Sequence, residues 1–256
     1  MLHLRTPRVL NSLKNILKTT PFYYFYNKFS GKEKSTDTTN TIIYVHIGKC
    51  GGESLWKAIQ QSERIQKRFC NIRRIHVAKP PLLKNANYLI VVRNPIARAL
   101  SAFNWRYKLV VSDEVQKTRF KGEYQILDKY GTLNSLAESL YTDGITNEEV
   151  ARDFRSIHHL KEDIGFYLTE LLEHISSEQI YAVMATETLD QDIKATLGIT
   201  NVGRIHQNSS SNNDVEEQLS KIAQENLRNF LVADYRAIEK LMKLTASHAG
   251  AAMLLK

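Results

Sequence analysis

The sequence predicts an α/β fold with a central, mainly parallel β-sheet flanked by helices, and three observations lead there. β-rich runs recur at 41–46, 88–92 and 179–184, and each is succeeded by a segment of helical character. The runs are nearly continuous in apolar residues, the pattern of strands covered on both faces. Strand–helix alternation in turn favours crossover connections, and hence parallel pairing, over hairpins.

The length of 256 residues, with 43% hydrophobic and 24% charged side chains, suits one well-filled core. The formal charge of +8 favours an anionic partner without choosing among nucleotide, nucleic acid, lipid and acidic glycan. The excess is local. Lys57, Arg64, Lys67, Arg68, Arg73, Arg74, Lys79 and Lys84 face only Glu63 across 57–84. Two cysteines, Cys50 and Cys70, are too few for a disulfide scaffold and fit a reducing cytoplasm. No apolar run approaches the roughly 18 residues of a membrane span, and charges interrupt every candidate secretory core near the N-terminus.

Residues 8–19 carry Val9, Leu10, Leu13, Ile16 and Leu17 at helical spacing with Arg8, Lys14 and Lys18 around them, a basic amphipathic helix able to contact a membrane peripherally or to pack on the domain. An aromatic cluster at 22–26 and a polar linker complete a segment 1–40, so a single domain is expected over 41–256. The first strand, 41–46, leads to a helix over 54–68, and the second, 88–92, to a helix after Pro95. Residues 112–175 read as mostly helical with breaks at Gly122, Gly131 and Gly144. The third strand precedes a helix at 189–197. A polar loop at 203–214 leads to a last helix over 215–244.

Two motifs carry chemistry. In Tyr44-Val45-His46-Ile47-Gly48-Lys49-Cys50-Gly51-Gly52-Glu53-Ser54, a strand passes through adjacent glycines into a helix. Such a turn aims backbone N–H groups and the positive helix end at one point, with Lys49 as a cation and Ser54 as a hydroxyl donor. The spacing is not that of the ATP-binding loop, because Lys49 precedes the glycines. In the second motif, 88–103, Arg93 ends a strand, Asn94 can cap the next helix, and Pro95 suits its first turn. Ser101 returns to the face of Asn94 after seven residues, one turn beyond Arg98. Arg93 and Ser101 can therefore converge on one anion.

In order and separation these motifs resemble the two cofactor signatures of the sulfotransferase superfamily, above all its carbohydrate and heparan sulfate O-sulfotransferase branch and bacterial relatives. The resemblance implies a fold like that of P-loop kinases. It also implies 3′-phosphoadenosine 5′-phosphosulfate as donor, adenosine 3′,5′-bisphosphate as product, no metal, and a hydroxyl of a carbohydrate or glycolipid as acceptor. It assigns Lys49, Gly51, Gly52 and Ser54, with Cys50 and Glu53 of the same loop, to the 5′-phosphosulfate, and Arg93 and Ser101 to the 3′-phosphate. The late loop adds Arg204 and Asn208. His76, shortly before the 3′-phosphate strand, takes the place of the family's general base, while Lys49 stabilises the leaving oxygen. Gly48 stands where the family has proline, Cys50 and Glu53 where it has hydroxyl residues, and Asn94 where it has aspartate.

Arg73, Arg74 and Lys79 around His76 should disfavour its protonation. Glu53 is the second candidate for the base. His46 is expected to pack, His158 and His159 to be solvated, and His174 and His248 have no supporting context. Cys50, in a cationic loop at a helix start, is expected to have either a lowered thiol pKa or a small packing role. Trp105 and Tyr107 can flank a base ring or fill the core. Two other classes compete: a P-loop-like kinase, which would want Mg²⁺ ligands and a Gly-Lys-Ser/Thr loop, and a basic polyanion or nucleic-acid binder resting on 57–84.

Overall fold

The structure, a computed structural model, describes residues 40–199, 217–245 and 254–255. The basic helix at 8–19, the aromatic cluster, most of the linker, the loop carrying Arg204 and Asn208, and His248 lie outside the described residues.

Four parallel strands form the sheet: β1 (Thr41–Val45), β2 (Asn71–Ile75), β3 (Asn87–Val92) and, near the end of the domain, a strand Ile180–Ala185 that pairs with β3. Their order is β2, β1, β3, then Ile180–Ala185. Every residue of β1 is buried, as is all of β3 after Asn87, so both faces of the central strands are covered. The cover comes from α1 (Gly52–Gln61) with Leu55, Ala58 and Ile59, and from helices later in the chain whose apolar residues join the same core.

The strand β2 lies in the basic stretch 57–84, where no strand was expected. Its sequence, Asn-Ile-Arg-Arg-Ile, alternates in exposure because it is an edge strand, and the two arginines hide the period of two. The helix expected over 54–68 is two: α1, and α2 (Glu63–Arg68). Ser62 breaks them, since its hydroxyl accepts from the amide of Ile65 and donates to the carbonyl of Leu197 at 2.9 Å.

After β3 comes α3 (Pro95–Tyr107), capped by Asn94, whose Oδ1 accepts from the amide of Ala97 at 3.0 Å. A π-helical turn, Lys108–Ser112, extends it. The region expected to be helical up to 175 contains α4 (Glu123–Tyr130), α5 (Leu133–Glu138), α6 (Glu148–Ser156), α7 (Ile164–Leu168) and α8 (Leu171–His174). It also holds a two-stranded hairpin, β4 (Tyr141–Thr142) with β5 (Ile145–Thr146). Asp143 and Gly144, at φ 51° and 77°, form its turn, a hairpin signal that a reading of Gly144 as a helix break missed.

The last strand of the sheet, β6, is Ile180–Ala185, and α9 (Leu189–Leu197) comes after it as expected. The final helix is divided at Leu231 into α10 (Lys221–Phe230) and α11 (Val232–Thr245). Residues of α7, α9 and α11 complete the core around the sheet, while α3 to α6 and α10 enclose a second cluster around Phe103 and Phe154. No helix among the described residues is long and apolar enough to cross a membrane.

Candidate active site

Parallel pairing brings three strand ends to one edge of the sheet. Val45 is in register with Ile75 of β2 and Ile90 of β3. The segments that leave these strands therefore meet at that edge: the glycine loop after β1, His76 after β2, and Arg93 and Asn94 after β3. Crevices at the carboxyl ends of such strands are where ligands bind in open α/β sheets. Arg93 is 3% exposed, and its Nη1 donates to the carbonyl of Lys49 at 3.1 Å, tying the third strand end to the first.

The glycines are dictated by space. A Cβ on Gly52 would stand 1.8 Å from Nε2 of His46, and one on Gly51 2.7 Å from Cδ2 of Leu189. Lys49 and Gly51 both have left-handed backbone, at φ 70° and 69°. The turn delivers α1 with no side-chain cap hydrogen bond at its N-terminus. The ammonium of Lys49 lies 4.7 Å from the centre of the Trp105 ring. Burial, reinforced by the charge of Arg93, lowers its pKa to about 8.

Two stacked histidines stand beside the loop, ring centres 4.3 Å apart. Arg74 donates from Nε to Nδ1 of His46 at 2.8 Å, and a guanidinium can only donate. Nδ1 of His46 therefore carries a lone pair, and burial, with His76 and Arg74, holds this imidazole neutral at a pKa of about 2. Nδ1 of His76 lies 3.1 Å from the carbonyl oxygen of His46. A carbonyl only accepts, which puts the proton of neutral His76 on Nδ1 and leaves Nε2 able to take one. Burial lowers the pKa of His76 below its ordinary value; the bond to His46 opposes this and Arg74 adds to it. The sequence placed that effect on Arg73, Arg74 and Lys79. Burial leads instead, and Lys79 is paired with Glu170 at 2.7 Å.

Glu53 is turned aside. Two nitrogens of Arg74 hold its carboxylate, so the acid in the glycine loop has its charge matched by a neighbour. Of the two roles expected for Cys50, the structure favours packing over a lowered thiol pKa: it is fully buried, and burial pushes its pKa up to about 12. Arg98, 1% exposed, is no surface residue. It donates to the carbonyls of Gly48 at 3.0 Å, His159 at 2.7 Å and Glu162. Ser101 is buried on α3 and Ser54 half-buried on α1; neither hydroxyl has a hydrogen-bond partner among the described residues. Tyr107 stacks on Phe103 in the second core cluster, whereas Trp105 lies at the loop under Lys49.

His158 and His159 are not solvated. His159 is 6% exposed, its ring centre lies 5.6 Å from that of His76 and 5.3 Å from that of Trp105, and a Cβ on Gly48 would stand 2.4 Å from its Nδ1. Burial, with the charge of Arg106 next, lowers His158 to about 3. His174 is exposed and bonds the carbonyl of Glu170 at 2.9 Å. Sequence reasoning gave Arg74 only an effect on His76, gave Arg98 no contacts, and expected His159 to be solvated. For Arg74 a signal existed, since the strand β2 puts it opposite Tyr44; for His159, far along the chain from its neighbours in space, none did.

Among family profiles, the one described as the sulfotransferase family matches residues 33–244. Comparison with curated proteins and with solved structures finds no match.

Proposed function

Because the chain belongs to the sulfotransferase family, we propose that it moves a sulfuryl group from 3′-phosphoadenosine 5′-phosphosulfate to a hydroxyl of a carbohydrate or glycolipid, releasing adenosine 3′,5′-bisphosphate. One observation carries the reading. A histidine with its proton fixed on Nδ1 and its Nε2 free stands at the same strand edge as a glycine loop, a lysine and a buried arginine.

The residues present fit the donor. The uncapped start of α1 supplies amides for the 5′-phosphosulfate, joined by Lys49, the backbone of Cys50, Gly51, Gly52 and Glu53, and the uncommitted hydroxyl of Ser54. Arg93 and Ser101 serve the 3′-phosphate, with Arg204 and Asn208 as further contacts to the nucleotide. Nε2 of His76 takes the proton of the acceptor hydroxyl as its oxygen bonds to sulfur. Lys49 stabilises the charge that develops on the bridging oxygen as the bond from that oxygen to sulfur breaks. Transfer of this kind needs positioning and charge stabilisation more than covalent help, and uses no metal ligand of this chain.

An acidic glycan suits the exposed Lys57, Arg73 and Lys84, for which no acidic partner occurs among the described residues. The domain begins near residue 41, the segment 8–26 is a peripheral membrane contact, and the protein works in the cytoplasm, where both free thiols stay reduced. The test is transfer of labelled sulfate from the donor to oligosaccharides, lipid-linked sugars and simple phenols. Labelling of sugars supports the proposal; labelling of phenols alone overturns the acceptor class.

A further inference from the structure

The turn after α6 carries a second group of polar side chains, behind the wall that His159 forms beside the glycine loop. His158, His159 and Glu162 each bring one ligand atom within 4.8 Å of the other two. Nδ1 of His159 and Oε2 of Glu162 are buried with no hydrogen-bond partner, and Nδ1 of His158 lies 3.9 Å from that same Oε2. Buried polar atoms of native proteins are paired with protein, water or an ion, and an orphaned pair in one small volume points to something that accepts lone pairs. The backbone is held to this arrangement. His159 has left-handed φ of 69°, and the guanidinium of Arg98 draws the carbonyls of His159 and Glu162 together.

We propose that His158, His159 and Glu162 bind a divalent cation of the Zn²⁺ type, through two imidazole nitrogens and one carboxylate oxygen, with water in a fourth position. The ligand set decides the ion: nitrogen donors suit Zn²⁺, whereas Mg²⁺ and Ca²⁺ want oxygen. The neighbouring charge of Arg98 opposes any cation here. The ion is therefore held by directed ligand bonds. The ion would brace His159 against Gly48 and beside His76.

Full-length protein, stripped with a chelator, is titrated calorimetrically with Zn²⁺, Mg²⁺ and Ca²⁺, and its thermal unfolding is followed with and without Zn²⁺. One equivalent of Zn²⁺ should bind and raise Tm, with no binding of the other two. Glu162→Gln and His158→Gln should each lower the affinity by more than the roughly 10–100-fold that loss of an outer-shell partner costs. Absence of stoichiometric binding, or equal binding by both variants, overturns the site. Should the variants fail to fold, X-ray absorption of the zinc-loaded parent protein decides: two imidazoles and no sulfur support the site, and a sulfur ligand or a single imidazole refutes it.

Discussion

Arg74 joins His46 to Glu53, donating from Nε to the imidazole and from its two terminal nitrogens to the carboxylate. The two residues flank the glycine loop, so one arginine fixes the tautomer of a histidine and neutralises the acid that would repel a bound anion. Arg74→Ala should therefore weaken binding of adenosine 3′,5′-bisphosphate by roughly tenfold or more, by freeing a charge beside the loop. The double variant Arg74→Ala/Glu53→Gln should recover most of the loss, and calorimetry on the full cycle checks it. Additive losses would mean that Arg74 contacts the nucleotide itself.

Glu53→Gln alone should leave turnover within about tenfold of the parent, because the proposed mechanism gives the proton to His76 and Glu53 is engaged by Arg74. The measurement is initial-rate transfer at saturating donor. A dead Glu53→Gln variant would hand the role of base to Glu53.

Lys49 predicts a basic limb. Its ammonium is lost as pH rises through about 8, and a neutral amine can neither attract the donor nor stabilise the leaving oxygen. The kcat/KM of the free enzyme should thus fall above that pH. Lys49→Arg, charged throughout, should shift the limb upward even where it lowers the rate; an unmoved limb would assign it to another group.

Much of this architecture is legible in the sequence, for reasons that differ by element. The strands β1, β3 and β6 are apolar runs that only a covered strand explains, and Asn94-Pro95 announces the start of α3. The edge strand β2 stayed hidden because Arg73 and Arg74 break its apolar pattern, and with it went the partnership of Arg74 with His46 and Glu53. His76 was assigned as base through resemblance, not through its environment. The role of Arg98 was invisible because the carbonyls it binds, on Gly48, His159 and Glu162, come together only in the fold.

Gly52→Ala tests the packing of the loop. The added methyl would occupy the position of the His46 ring, and overpacking of this kind costs about 1–3 kcal/mol. The variant should unfold at lower temperature and bind nucleotide poorly. Unchanged stability would mean that His46 is not where the geometry places it.

The thiols should separate cleanly. Cys70 is exposed and should alkylate in the native protein, while Cys50, buried and with its thiolate disfavoured, should react only on unfolding. Mass spectrometry after brief treatment with iodoacetamide gives the answer; protection of Cys50 by nucleotide would put its thiol back in the site.

The most direct test is single-turnover transfer of labelled sulfate by His76→Ala across a range of pH, with nucleotide affinity measured in parallel. Neutral His76 accepts through Nε2, so the parent protein should lose activity as pH falls below the depressed pKa of that imidazole. The variant should bind adenosine 3′,5′-bisphosphate as the parent does, transfer sulfate about 10²–10⁴-fold more slowly, and lack the acidic limb. Transfer at the parent's rate with the acidic limb intact would contradict the assignment of His76 as the base.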